Sequence, residues 1–438
     1  MKLLIPLLLI TSYLWVSELK SSANDMTSNE IISNLMSNNI DEVNRTLSYI
    51  STNKPNNLLS EITKIVLEGE NTNTKLIAVN ALKCYPIKNI LPLWLNILKK
   101  THSFIVKKEI INFISKSHDK RIVLPLIEEL YNPFYSVRES AIHSLKIIGD
   151  DRMFPYILNM LKKPNPVYRI YALEAIYHVY DIRVIGLIID ILKKDKNKSV
   201  RYYTLRCILK NKIKKTLPYV RNIALNDINW EVRVKAIEIL NNFRDKKSLN
   251  ILLKCLKDIN HDIRLASANT LYAMKLKKSA PSLSKQLFKE KYDEIKEILI
   301  DTLIALKNAG GYKGLKYIIQ NDRNVYNRIK VAYALGKIKH KKSISVLLKG
   351  ISDIDPRVRA EICKSLGYYK DKKIVARLLM LINDDLKRYV KSAALYSIKK
   401  IGDKKVILPL FDRYCIETDP ILKGMLKKII RKFIKRYT

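Results

Sequence analysis

The sequence predicts an all-α protein built as a solenoid of about twelve two-helix repeats, and two observations carry that prediction. A Lys or Arg recurs every 31 or 32 residues, and a Leu or Ile stands seven residues after each of them. A fixed period of this length means that one supersecondary unit stacks on the next, because a single unit cannot bury its apolar face alone. We call the recurring basic residues the anchors: Lys75, Lys107, Arg138, Arg169, Arg201, Arg233, Arg264, Lys296, Arg328, Arg359, Lys391 and Lys423.

The half of each repeat that holds the anchor has the residue spacing of a helix. Around Arg138, for example, Val137, Ala141 and Leu145 stand at offsets −1, +3 and +7, which lie on one face of a helix with 3.6 residues per turn. Strand alternation is absent from the sequence, and only 11 of 438 residues are glycine. The other half of each repeat is another apolar run, as in residues 249–256, so each repeat is predicted to contain two helices.

Signals for helix starts agree with this division. Asn165 and Asp355 each precede a proline, which places an N-cap residue before a proline in the first turn. Ser136, followed three residues later by Glu139, has the form of a capping box.

These residues carry a resemblance to a known family. The pattern Asp/Asn-x-x-Val-Arg-x-x-Ala-x-x-x-Leu-x-x-Ile-Gly, seen in residues 136–149 and 355–367, resembles the short HEAT repeat named after phycobilisome lyases. The signatures of tetratricopeptide and ankyrin units, which have periods of 34 and 33 residues, do not appear. The resemblance implies a right-handed α-solenoid and a binding role, since HEAT-like solenoids mostly bind other molecules.

The chain divides into three predicted regions. Residues 1–23 have the outline of a signal peptide, with an apolar run and then small residues before Asn24. Residues 24–57 are predicted to be a polar linker and a degenerate N-terminal capping repeat, and residues 58–438 to be the HEAT-like solenoid with a cationic C-terminal capping helix. The alternatives for the first region are an uncleaved membrane anchor and a cap helix of the solenoid.

The charge of the chain is strongly positive. Lys and Arg number 81 against 41 Asp and Glu, a formal charge of +40 that favours contact with polyanions. The charge also has two possible origins unrelated to binding: an AT-rich genome enriches lysine, and a repeated arginine commonly stabilises the solenoid itself. An acid stands six residues before many anchors, so we predict a structural role in bonding the turn of the neighbouring repeat, above all for Arg138, Arg169, Arg201, Arg233, Arg264, Arg328 and Arg359.

The surplus positive charge lies in the turns between consecutive repeats. Because each turn holds the same place in its unit, stacking is expected to align these clusters along one edge, roughly 100 Å long for helices about 8–10 Å apart. We call it the basic edge. The alternative is a solvated edge that has no partner. The candidate binding residues are Lys246, Lys247, Lys277, Lys278, Lys341, Lys342, Lys372 and Lys373.

A second candidate surface combines tyrosine with arginine. Tyr171 and Tyr203 stand two residues after their anchors, at an offset that holds Glu or Lys in other repeats and is therefore expected to be exposed. With Arg201 nearby, they form a patch of a type used for sugars, bases or protein partners. The alternative is an ordinary helix surface.

No catalytic residue, cofactor motif or metal site is evident, so the sequence favours a non-enzymatic scaffold. We expect the protein to be bacterial and its partner to be another protein, with an anionic polymer or membrane surface as an alternative and no small-molecule substrate. The expected location is the periplasm or cell envelope. The competing hypothesis, for a signal that does not function, is a cytoplasmic nucleic-acid-binding protein resembling HEAT-like DNA glycosylases, with Trp94, Trp230 and Asp227 as its only hints.

Overall fold

The structure is a computed structural model that describes residues 26–437. The predicted signal peptide, residues 1–23, lies outside the described residues. The chain divides into two compact units, of which unit 1 extends to Val184 and unit 2 begins at Ile185. The described residues form helices and turns without a strand, which confirms the all-α prediction.

Unit 1 contains ten α-helices in the described residues. They are α1 (Ser28–Leu35), α2 (Ile40–Asn53), α3 (Leu59–Glu68), α4 (Thr72–Lys83), α5 (Ile87–Lys100), α6 (Phe104–Ile114), α7 (Val123–Glu128), α8 (Tyr135–Ile148), α9 (Met153–Leu161) and α10 (Pro166–His178).

Unit 2 continues the alternation with sixteen α-helices. They are α11 (Ile185–Lys194), α12 (Lys198–Lys210), α13 (Leu217–Asn226), α14 (Trp230–Asn242), α15 (Leu249–Cys255), α16 (His261–Met274), α17 (Ala280–Gln286), α18 (Asp293–Leu306), α19 (Tyr312–Asn321), α20 (Val325–Ile338), α21 (Ser343–Gly350), α22 (Pro356–Leu366), α23 (Val375–Asp384), α24 (Arg388–Ile401), α25 (Ile407–Ile416) and α26 (Pro420–Tyr437).

Within each unit the helices stack in two layers. Every anchor lies on an even-numbered helix, and that helix contacts the next even-numbered one, as α20 contacts α22 and α22 contacts α24. The odd-numbered helices form the second layer, as in the contact of α19 with α21. On α22 the predicted apolar stripe is fully buried at Val358, Ile362 and Leu366. The fold is an all-α solenoid of stacked helix pairs.

The helix starts match two of the three sequence signals. Asn165 accepts a hydrogen bond from the amide of Val167, and Asp355 accepts one from the amide of Arg357, which confirms both as N-caps. The capping box predicted at Ser136 is wrong, because α8 begins at Tyr135 after an N-cap at Phe134. Ser136 is the second residue of α8 and lies in the first turn of the helix, whereas an N-cap residue precedes that turn.

Both ends of the described chain are helical. Residues 24–57, predicted as a linker and a degenerate repeat, contain α1 and α2, which bury Ile31 and Ile50. At the other end, α26 packs against α24 and α25. Leu426 and Phe433 on its apolar face are fully buried, so this cationic helix uses its apolar face within the solenoid.

Candidate binding surfaces

The anchors bond forward to the next repeat. In unit 2, Nε of Arg201 donates to Oδ2 of Asp227 at 2.6 Å, while one NH group donates to the carbonyl of Asp195 at 2.9 Å. Asp227 in turn accepts a hydrogen bond from the amide of Asn229, which orders the turn before α14. The same arrangement recurs in the pairs Arg233–Asp258, Arg264–Glu290, Lys296–Asp322, Arg328–Asp353 and Arg359–Asp385. We call this series of ion pairs the anchor ladder.

Burial makes the ladder a structural feature. The Asp385 side chain is 3% exposed and that of Arg359 is 17% exposed. Burial alone would raise the pKa of Asp385, but hydrogen bonds from Arg359 and from the amide of Lys387 outweigh it and hold the pKa below its usual value. A carboxylate that is charged, buried and bonded on several sides fixes the geometry of its turn.

In unit 1 the ladder uses different partners. Arg138 pairs with Glu174 on α10 at 2.7 Å and donates to the carbonyls of Asn132 and Pro133. Lys107 pairs with Glu129, and Arg169 donates to the carbonyls of Lys163 and Pro164.

The tyrosines of the predicted tyrosine and arginine patch are half-buried. Tyr171 is half-buried, because the guanidinium of Arg138 lies 3.7 Å from the centre of its ring. Tyr203 is also half-buried, and Arg206 lies 5.1 Å from its ring centre. Arg201 is occupied by Asp227. The expectation that these tyrosines are exposed is wrong, because this offset is half-buried whichever long side chain holds it, as Lys235 and Lys330 also show.

The basic edge lies at the opposite end of the helix pairs from the ladder. All eight of its candidate lysines are exposed, and within the described residues no carboxylate lies at ion-pair distance from their ammonium groups. The turns that carry them touch one another in unit 2. Arg244 donates to the carbonyl of Ala273, the Asn308 amide to the carbonyl of Lys277, and the Tyr312 hydroxyl to the carbonyl of Lys342.

In both units, the backbone of the turns that follow the even-numbered helices is unusual. Among the described residues, ten have positive φ, and each follows the end of an even-numbered helix. Seven of the ten are lysine or arginine, two are glycine, one is histidine, and none is asparagine. An L-residue in this left-handed conformation costs roughly 1–2 kcal/mol, which is why glycine and then asparagine are usual at helix ends. The basic residues are Lys54, Lys212, Arg244, Lys275, Lys307, Lys339 and Lys370.

The two edges of unit 2 therefore differ in charge. At the ladder edge, the acids of the turns are paired with the anchors. At the basic edge, most turns bring two or three lysines, and Lys307 and Lys313 flank the turn formed by Ala309–Gly311. The acids of the ladder edge are thus neutralised, whereas the candidate lysines of the basic edge have no carboxylate partner within the described residues.

A groove that the sequence did not indicate crosses helices α18 to α24 on the outer face of the even-numbered layer. It has a volume of about 860 Å³, and its floor includes Ile304, Ile329, Ala360 and Ala393. Four tyrosines line it: Tyr333, Tyr368, Tyr389 and Tyr396. We call it the tyrosine groove.

Two lysines flank one ring of the tyrosine groove. The ammonium of Lys400 lies 4.1 Å from the ring centre of Tyr368, and that of Lys337 lies 4.7 Å from it. Contacts with Tyr368 and Tyr333 raise the pKa of Lys337, so this ammonium is charged at neutral pH. Cation–π contact of this kind orients a lysine without neutralising its charge.

The acids of the groove are already occupied. Lys330 reaches Asp301 at 2.9 Å and Glu297 at 3.2 Å. Glu361 pairs with Lys364 at 3.4 Å. The groove thus combines an apolar floor, tyrosine walls and two lysines that contact rings rather than carboxylates.

Reactive groups do not converge in the described residues. No cluster of three or more His, Cys, Asp or Glu side chains there could hold a metal ion. Burial raises the pKa of the Cys363 thiol to about 12 and that of Cys255 to about 11, which leaves both in the unreactive neutral form. Among the described helices none is both long enough and apolar enough to cross a bilayer.

Two of the three hints for a nucleic-acid enzyme are ruled out by burial. Trp94 is fully buried in the core of unit 1. Asp227 is bound by Arg201 and is 3% exposed, so it is unavailable as a catalytic base. Trp230 is 41% exposed, but neither Trp94 nor Asp227 is available to act with it.

Stacked helix pairs joined by a series of ion pairs define an α-helical repeat protein. A family model described as HEAT repeats matches residues 185–258, 217–304 and 312–399. HEAT repeats are therefore found in residues 185–304 and 312–399, as the sequence pattern predicted. A search of curated protein sequences found no match.

Solved structures with a similar fold include karyopherins. Kap121p bound to the extreme C-terminus of the protein phosphatase Cdc14p matches with a TM-score of 0.54 and 12% identity, over 93% of this chain and 54% of that one. Kap121p bound to Nup53p matches with a TM-score of 0.52 and 13% identity, over 93% and 53% of the two chains. The chain thus spans about half the length of these proteins, and the likeness shows the fold.

The phycocyanin lyase complex of CpcE and CpcF from Nostoc sp. PCC7120 also matches, with 17% identity over 57% of this chain and 94% of that one. Its TM-score of 0.28 carries no argument about activity.

Proposed function

We propose that this protein is a non-enzymatic scaffold that holds an acidic protein along the basic edge of unit 2. The observation that carries the proposal is the placement of lysine and arginine at six of the seven positive-φ positions of unit 2. Glycine or asparagine would fit that backbone with less strain. Retaining a cation there is expected when the charge itself is used.

Composition alone does not account for this placement. A bias toward AT-rich codons enriches asparagine as well as lysine, and asparagine tolerates the left-handed conformation better. The C-terminal end of a helix attracts cations by about 0.3–1 kcal/mol, which offsets only part of the conformational cost. A binding role for the edge supplies the remaining reason.

A protein is the partner that we favour over an anionic polymer, a membrane surface or a nucleic acid. The similar karyopherin structures carry protein partners, namely Nup53p and the C-terminus of Cdc14p. The candidate residues of the edge are lysines, which act as point charges, whereas bidentate recognition of phosphate usually relies on arginine.

The experiment changes six lysines of the edge to glutamine: Lys246, Lys247, Lys277, Lys278, Lys341 and Lys342. The probes are fluorescent poly-L-glutamate, duplex DNA of equal charge, and vesicles with anionic headgroups, each titrated into the full chain. We expect poly-L-glutamate affinity to fall at least tenfold and its dependence on salt to become shallower.

A matched control removes six exposed lysines outside the edge: Lys254, Lys257, Lys285, Lys316, Lys349 and Lys387. Equal losses in both variants would mean that net charge acts in bulk, and the edge would have no special role. If wild-type protein binds DNA or vesicles more tightly than poly-L-glutamate, and only the edge variant loses that binding, the partner is not an acidic protein.

We further propose that the protein acts in the periplasm or cell envelope. The support is the signal-like composition of residues 1–23. N-terminal sequencing of protein from its native host tests this, with Asn24 as the expected first residue. Recovery of an intact Met1 in a cytoplasmic fraction would contradict it.

A further inference from the structure

We infer that the tyrosine groove recognises a short acidic segment of the partner that also carries an aromatic or large aliphatic side chain. The inference rests on the proposed function, since the groove supplies specificity where the basic edge supplies charge. It concerns a different surface and different residues, so the two can fail separately.

The groove is built on close helix packing. A Cβ on Gly336 of α20 would lie 2.8 Å from Oγ of Ser365 on α22, and one on Gly367 would lie 2.7 Å from Oγ of Ser397 on α24. Small residues at these contacts let the three helices approach closely. The tyrosines of successive helices are thereby brought to one opening instead of being spread along the surface.

Exposure shows that the rings are available to a ligand. Tyr333 is 39% exposed, Tyr389 is 46% exposed and Tyr396 is 51% exposed. Tyrosine presents a large amphipathic surface at low entropic cost, which is why it is enriched where proteins bind proteins. The groove volume of about 860 Å³ is that of a pocket for two or three side chains.

Charge determines which side chains fit. Asp301, Glu297 and Glu361 have lysine partners, so the groove does not repel an anion as strongly as its acid content suggests. Lys337 and Lys400 lie against tyrosines, and among the described residues neither ammonium is within ion-pair distance of a carboxylate. A carboxylate arriving between these ammonium groups would pair with them without displacing an existing ion pair. The apolar floor beside them suits a hydrophobic neighbour in the ligand.

The position of the groove links it to the basic edge. Lys337, Tyr368 and Lys400 each stand two residues before a positive-φ residue of that edge. An acidic segment lying along the edge can therefore place one side chain in the groove without changing direction. We expect the edge to accelerate association and the groove to select among acidic sequences.

The test compares two synthetic peptides of fourteen residues that have the same charge. One is rich in glutamate with two phenylalanines at its centre, and the other has alanine in place of both. Fluorescence anisotropy on the full chain should show that the phenylalanine peptide binds about tenfold more tightly, as expected for burial of one aromatic side chain. The double variant Y368A/Y396A should abolish this preference, and Y368F/Y396F, which keeps the rings, should retain it.

The controls separate the two proposals. Tyr272→Ala removes an exposed tyrosine of α16 outside the groove, and should leave the preference unchanged. K337Q/K400Q should weaken both peptides, and should weaken them more than the same change at Lys254 and Lys316. Far-ultraviolet circular dichroism checks that each variant is folded.

Four results would count against one proposal or the other. Equal binding of the two peptides by wild-type protein overturns the groove inference, as does a preference that survives in Y368A/Y396A. Tighter, Tyr368-dependent binding of single-stranded DNA or an acidic oligosaccharide would assign the groove to another class of ligand. If the six-lysine edge variant binds poly-L-glutamate normally while the phenylalanine preference holds, the proposed edge function fails and the groove inference stands.

Discussion

Replacing the left-handed lysines of the basic edge by glycine should stabilise the fold while it weakens binding. The variant is K275G/K339G/K370G, at three positions where φ is 50°, 54° and 53°. Most surface substitutions that remove a binding group leave stability unchanged or lower it. An opposite change in the two quantities would separate a strained functional charge from a structural one.

The magnitude follows from three opposing contributions. Relief of the left-handed conformation contributes roughly 1–2 kcal/mol per site, and the greater freedom of glycine in the unfolded chain subtracts about 0.4–1 kcal/mol. Loss of the interaction with the helix end subtracts about 0.3 kcal/mol for an exposed lysine in salt. The central value is a gain of about 0.5 kcal/mol per site, or about 1.5 kcal/mol for the triple variant, on the figures just given.

The assay is calorimetry together with binding of poly-L-glutamate. At about 2.1 cal/mol/K per residue, unfolding of a unit the size of unit 2 has an entropy of roughly 0.5 kcal/mol/K, so 1.5 kcal/mol raises Tm by about 3 °C. Affinity should fall about as far as in K275N/K339N/K370N, whose asparagines tolerate the conformation without charge. K275R/K339R/K370R should keep both the affinity and the Tm of the parent.

Two results would contradict this prediction. A lower Tm for the glycine variant would mean that the lysine side chains stabilise these helix ends by more than their backbone costs. A higher Tm with unchanged affinity would mean that charge at these positions is not used in binding, and the basic edge would lose its main support.

Two further predictions concern the anchor ladder. Arg359→Ala should lower the free energy of unfolding by about 3 kcal/mol, because it leaves Asp385 buried without its partner. Arg357→Ala, which removes an exposed neighbouring arginine, should lower the free energy of unfolding by less than about 1 kcal/mol. If the anchors are structural, neither change should alter the affinity of the folded protein for poly-L-glutamate by more than about twofold. A loss of binding in R359A with an unchanged urea midpoint would contradict this. The second prediction concerns pH. The pKa values of Asp385 and Glu290 are lowered in the folded protein. Their contribution to the free energy of unfolding is therefore fully present above the unfolded pKa near 4, and it is lost as pH falls through the folded pKa values. The urea midpoint should therefore drop between about pH 4 and pH 2, less steeply in Asp385→Asn, and an unchanged slope in that variant would show that other groups dominate.

Much of the fold could be predicted because its determinants are local. The anchor, the residue before it and the Leu or Ile seven after it fall within two helical turns, so their spacing is readable from one sequence. The forward bond from Arg201 to Asp227 is also indicated by the sequence, since acids stand at a constant distance before the anchors. Ser136 misleads because a serine and a glutamate three apart occur inside a first turn as readily as before it.

The tyrosine groove escaped prediction because its residues have no common offset. Tyr333 and Tyr396 stand five residues after their anchors, whereas Tyr368 stands nine after Arg359. Only the close approach of α20, α22 and α24 brings them to one opening. Comparing offset +2 alone led to Tyr171 and Tyr203, whose rings are half-buried beside arginine.

The left-handed residues escaped for another reason. Helix ends of this kind are recognised in a sequence by glycine or asparagine, and Lys275 or Lys339 gives no such signal.

The anchor ladder gives the array a polarity. From Arg201 to Arg359, each anchor in unit 2 offers a cation to a carboxylate of the following repeat, which stands 25 or 26 positions further along the chain, for example 26 for Arg201 and Asp227 and 25 for Arg328 and Asp353. Successive repeats therefore join as donor end to acceptor end and in no other orientation. If one whole repeat is deleted or duplicated, every junction between repeats keeps both the cation and the carboxylate of its ion pair. A deletion of any other length leaves a buried cation and a buried carboxylate without their partners. Such an array can change its length during evolution by whole repeats, and each change carries its share of the basic edge with it.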